Sequence, residues 1–144
     1  MELNTIGFVA AVSTFFGVWF GHVAVRKIES ISPGIWLPAM LFFLAGMLSE
    51  WLALLSSNTL LSSGFGILGF TFFWDAIEFF RHQNRIKKGH APANPANPRH
   101  ARLLRESSNA TTLDVLKRDP IGRQVSQTEA IQLITDRSSP MTNY

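Results

Sequence analysis

The sequence predicts an all-α membrane protein with three transmembrane helices and a basic, largely disordered C-terminal tail. Residues 1–80 are overwhelmingly apolar, whereas 81–144 are polar, dotted with proline and basic at their start. The apolar half holds three runs, each long enough to cross a hydrocarbon core of roughly 30 Å at about 1.5 Å per residue. Positive charge gathers in the 26–33 segment and after the third run, and is absent from the turn between the second and third. By the positive-inside rule the N-terminus faces outward and the tail is cytoplasmic.

The first helix is expected at 5–25. It carries no charge and is followed by Arg26-Lys27 in place of a small-residue cleavage site, so it is not a cleavable signal peptide. The second, at 34–55, is broken only by Glu50, and Pro38 falls in its first turn, where a missing N–H costs little. Ser56-Ser57-Asn58 then forms a tight hairpin. The third runs over 60–88, with its apolar part broken by Asp75 and Glu78, and Gly89 is a natural stop. These make a membrane domain of residues 1–89. In the tail of 90–144, APANPANP over 91–98 has prolines at period three and suits a polyproline-II spacer. Short helices are expected at 99–106, basic enough to lie on anionic headgroups, and at 126–137.

The third helix contains GFGILG over 64–69, which fits the dinucleotide-binding fingerprint by its letters. That motif needs a strand before it and a helix after it. Here the glycines lie inside an apolar run, so no cofactor is expected. They suit close helix packing instead, with Ser62, Gly66 and Gly69 on one face of the third helix and Gly17 and Gly21 on the first.

There are no cysteines, which excludes disulfides, thiolate metal sites and cysteine nucleophiles. No hydrolase, zinc-protease or P-loop motif occurs, and His82, His90 and His100 are too irregularly spaced to suggest a metal site. The net charge of +3 is concentrated after the last apolar run and lacks aromatic interleaving, so it speaks for topology and not for nucleic acid. The chemistry-bearing candidates are polar residues inside the membrane. Counting along the helices puts Asp75 about 22 Å from the outer boundary, with His22 near the same depth and Glu78 a turn lower. Glu50 counts to the opposite side. Such groups are costly in lipid and mark candidate sites. A His22–Asp75 hydrogen bond would join the first and third helices, and Glu78 can pair with Arg81 and His82 on its own helix.

Two stretches carry a resemblance. HVAVRKIE over 22–29, with Trp36 following, and FWDAIEFF over 73–80, continued by RIKKGHAPANP over 85–95, resemble the opening and closing motifs of a small bacterial family of three-helix membrane proteins. That family is known only as a domain of unknown function. The match includes Arg85, Lys88, Gly89, Pro92, Asn94 and Pro95, which the resemblance implies form a cytoplasmic-face motif. The chain departs from the pattern at Val23, Asp75 and His90-Ala91, where the family has proline, serine and Trp-Phe.

The expectation is a bacterial inner-membrane protein without enzymatic activity. It would act by protein–protein interaction, as an accessory, assembly or scaffolding subunit, touching the lipid bilayer and a membrane-protein partner or further copies of itself. The alternative is an oligomeric proton or small-ion transport protein using His22, Asp75, Glu78 and Glu50.

Overall fold

The computed structural model describes residues 4–114, together with 128 and 131. Four helices follow in order: α1 (Thr5–Ile31), α2 (Trp36–Leu55), α3 (Thr59–Lys87) and α4 (Pro98–Glu106). The first three are long and apolar enough to cross a membrane, so the fold is that of a multi-pass membrane protein. The helix expected over 126–137 lies outside the described residues, save Thr128 and Ile131, which are helical.

α3 is the central element. It packs against α1 on one side and α2 on the other, while α1 and α2 make little direct contact. The side-chain distribution is that of a protein dissolved in lipid. Large apolar residues such as Phe8, Phe15, Leu41 and Phe70 face outward, and small residues lie between the helices. Gly17 of α1 sits against Thr71 of α3, and Gly46 of α2 against Phe73 and the Gly69 carbonyl of α3. With no hydrophobic drive between helices in lipid, such close approaches let dispersion hold them together.

α1 runs past its expected end. Arg26, Lys27, Ile28 and Glu29 end the apolar run without ending the helix, because no breaker occurs before Pro33. α1 and α3 therefore project together from the apolar layer at one end, the basic end. Between α2 and α3, Asn58 caps α3 by accepting from the N–H groups of Leu60 and Leu61 at 2.9 and 3.2 Å. At the other end of α3, Gly89 takes φ +75°. His90 N–H then bonds the Arg85 carbonyl at 2.8 Å and Gly89 N–H that of Ile86 at 3.0 Å, the double closure that a left-handed residue allows.

The segment from 90 to 114 holds the short helix expected at 99–106, as α4, but departs from the expected spacer. It folds back on the ends of α1 and α3, and Ile86, Ala91, Ala93 and Leu103 form a small apolar core there. Residues 91–98 do not form a free polyproline-II rod, because the asparagines between the prolines are anchored. Asn94 Nδ2 donates to the Ser30 carbonyl at 3.0 Å, and Asn97 Nδ2 donates to the carbonyls of Ser30 and Ser32 at 3.1 and 2.8 Å. These side chains satisfy carbonyls at the end of α1 that have no partner within the helix. Asn97 also caps α4, accepting from Arg99 N–H at 3.0 Å.

Candidate functional site

Buried residues of α1 recur every fourth position: Gly17, Gly21, Val25 and Glu29. This stripe faces α3, where Gly64, Thr71, Asp75, Phe79 and His82 share the opposing side. The seam changes character along its length. Ser13 touches the Gly64 position and Thr71 the Gly17 position; Asp75 lies against Gly21. Val25 and Phe79, both fully buried, close it with apolar side chains. At the basic end it finishes in a charged cluster.

Glu29 is the centre of that cluster and is 0 % exposed. His82 Nδ1 lies 3.2 Å from its Oε2, and His100 Nε2 lies 3.1 Å from its Oε1. Arg99 approaches from α4, with NH1 2.8 Å from Oε1 and NH2 donating to the Glu29 backbone carbonyl at 2.7 Å. The NH1 contact is an ion pair without hydrogen-bond alignment, and Arg99 Nε has no partner among the described residues. The backbone N–H of Asn94 donates to His100 Nδ1 at 2.9 Å. With Nδ1 occupied as an acceptor, the His100 ring proton sits on Nε2 and points at Glu29. So many donors around one carboxylate offset the cost of burying its charge.

Two turns further into the apolar layer lies Asp75, 2 % exposed. Its carboxylate fills the space left by the missing side chain of Gly21, and Oδ2 has no hydrogen-bond partner among the described residues. The expected partner, His22, is exposed, because it falls one position off the buried stripe of α1. No hydrogen bond joins the two among the described residues.

Glu78 bonds outward. Arg81 Nε is 3.2 Å from it and Arg85 NH2 2.6 Å, so Arg85 takes the place expected of His82, which turns to Glu29. Glu50 reaches across to α3. Its side chain packs on Gly69 of α3, with Oε1 2.7 Å from where a Cβ would stand. That level is six residues, or about 9 Å, from Asp75 along α3. Gly66 faces Ala53 more loosely, and Ser62 Oγ donates to the Ala53 carbonyl at 2.9 Å. Of the closing motif, Asn94 caps α1, Gly89 turns the chain, Lys88 is the C-cap of α3 and Pro92 borders a cavity.

The arrangement holds a buried carboxylate among two imidazoles and a guanidinium at one end of a polar seam. Sequence reasoning did not identify Glu29 as the hub, nor Asn97, Arg99 and His100 as its surroundings. The four-residue spacing of Gly17, Gly21 and Val25 was the signal that turns Glu29 inward.

The fold and this cluster define a small multi-pass membrane protein with a buried ionic site at the end of its helices. The chain belongs to the family described as Domain of unknown function (DUF4491), whose profile matches residues 4–97. Glu29, His82, Asn94 and Asn97 fall inside that match, and Arg99 and His100 just beyond it. No curated protein and no solved structure matches the chain.

Proposed function

We propose that this protein conducts protons or small cations across a membrane as an oligomer, through the seam between α1 and α3. The observation that carries the reading is Asp75: a buried carboxylate inside an apolar layer, set against Gly21, with one oxygen lacking a donor among the described residues. Such a group is expensive to keep unless it is used. The buried Glu29 network favours this reading over an accessory role, because a subunit acting only through its surface needs no charge cluster in its interior.

In this reading Asp75 takes up the ion and passes it toward His82 and Glu29. Seven residues separate Asp75 from His82, about 10 Å of helix rise, so water must bridge the step. Val25 and Phe79 lie in between as an apolar plug that must part for water to enter. The motif that residues 73–80 resemble has serine at the place of Asp75, so in this reading the activity belongs to this chain and not to the whole family. The positive-inside rule supports an orientation with the Glu29 cluster on the cytoplasmic side, and the resemblance to a bacterial family supports a bacterial inner membrane. The reading is not an enzymatic one.

The test is proton flux into vesicles carrying the purified chain and a pH-sensitive dye, under an imposed gradient. The parent should acidify the lumen, and Asp75→Asn should fall to the level of empty vesicles while melting like the parent. Flux in Asp75→Asn equal to the parent's would reject Asp75 as the carrier, and none in the parent would reject proton conduction and return the accessory reading to first place.

A further inference from the structure

At the basic end, beside the Glu29 cluster, a cavity of about 340 Å³ opens between α1, α3 and the 91–98 turn. Arg26, Lys27 and Ser30 line it from α1, His82 from α3 and Pro92 from the turn, and Val23 adds an apolar wall. Arg26 and Lys27 are exposed, and neither pairs with a carboxylate among the described residues. His82 is 6 % exposed and uses Nδ1 on Glu29, which leaves Nε2 without a hydrogen bond among the described residues on a ring that borders the cavity. Glu29 itself is matched by Arg99, so its charge does not cancel the two free cations.

We infer that this cavity binds a phosphate group, supplied by the headgroup of an acidic phospholipid. Arg26, Lys27, Ser30 and His82 line one small space, and a guanidinium, an ammonium, a hydroxyl and a ring nitrogen are the donor types that meet the oxygens of a phosphate. The position selects the source. Val23 belongs to the apolar run of α1, whereas Arg26 and Lys27 are the first charges past it. A ligand spanning that boundary has an apolar part and an anionic head, and basic pockets between helices at this level suit such lipids. Pro92 and the Asn94 and Asn97 caps hold the turn in place as the outer wall. The site does not depend on conduction.

The test uses the full chain in mild detergent, titrated with phosphatidylglycerol, phosphatidylcholine or inorganic phosphate and followed by thermal unfolding and native mass spectrometry. Phosphatidylglycerol should raise the melting temperature and remain bound, and phosphatidylcholine should not. Arg26→Gln/Lys27→Gln should bind phosphatidylglycerol about thirtyfold more weakly, the equivalent of about 1 kcal/mol per lost cation. Its melting temperature without lipid should match the parent's, because both side chains are exposed. Lys87→Gln/Lys88→Gln removes the same charge outside the cavity and should bind like the parent. A shift produced equally by inorganic phosphate would support the phosphate site with a free anion as its source. The inference fails if phosphatidylglycerol has no advantage over phosphatidylcholine, or if the two double variants are weakened equally.

Discussion

Glu29→Gln keeps the shape of the side chain and removes the charge that Arg99 faces. In the parent the two carboxylate oxygens receive His82 at 3.2 Å, His100 at 3.1 Å and Arg99 at 2.8 Å. Glutamine offers one oxygen and turns an NH₂ toward donors, so at least one contact becomes repulsive. Breaking a buried ion pair from one side costs about 3–5 kcal/mol. Arg99 keeps its 2.7 Å bond to the Glu29 backbone carbonyl, which places the loss at the lower end, about 3 kcal/mol. The weakened link is the docking of α4, since the spans meet through other contacts. About 3 kcal/mol is roughly a hundredfold increase in opening, readable as faster hydrogen exchange of the α4 amides in lipid nanodiscs. Glu106→Gln is the control: its pair with Arg102 is 3.8 Å long and exposed, so it should change stability by no more than about 0.5 kcal/mol. Glu29→Met with Arg99→Met strands no charge but leaves the His82 and His100 rings without their acceptor, so it should recover only part of the docking. Unchanged α4 exchange in Glu29→Gln would refute the reasoning, as would an equal rise through the middle of α3.

Gly46→Ala should loosen α2 from α3 by about 1–3 kcal/mol, since its Cβ would stand 2.7 Å from the Phe73 ring and 3.0 Å from the Gly69 carbonyl. Gly66→Ala meets only Ala53 at 3.9 Å and should melt like the parent in detergent; equal melting of both variants would mean the α2–α3 approach is not tight. For orientation, a reporter fused after Tyr144 should be active only in the cytoplasm and one at Ser57 only outside, and reversed activity at either site would overturn the cytoplasmic placement of the Glu29 cluster.

The three spans were legible because lipid demands length and apolarity of any helix that crosses it, and both are local properties. The end of α1 was not legible in the same way. Arg26 and Lys27 mark the edge of the apolar layer, but charge does not unwind a helix. The Glu29 cluster was harder still, since its contacts join residues 53 and 71 positions apart, and no short pattern records that. In APANPANP the period of the prolines suggested a rod, whereas the asparagines between them decide the structure by reaching the carbonyls of α1. Asp75 and Glu78 were visible as charges in an apolar run. Their partners depend on which face of α3 each occupies: Asp75 turns to Gly21, and Glu78 turns to the arginines beyond it.

The Asn94, Asn97, Arg99 and His100 contacts also set an order of assembly. A chain made from its N-terminus delivers Glu29 early and the residues that surround it some seventy positions later. All three spans are therefore synthesised before the end of α1 can be closed. Until then Glu29 and the last carbonyls of α1 must be satisfied by water, which keeps that end of the helix at the membrane surface and resists its sliding inward. Arrival of the 91–106 segment replaces the water and closes that end of the helix. A ribosome-bound chain stopped before Asn94 emerges should hold three inserted spans with the end of α1 still open to water.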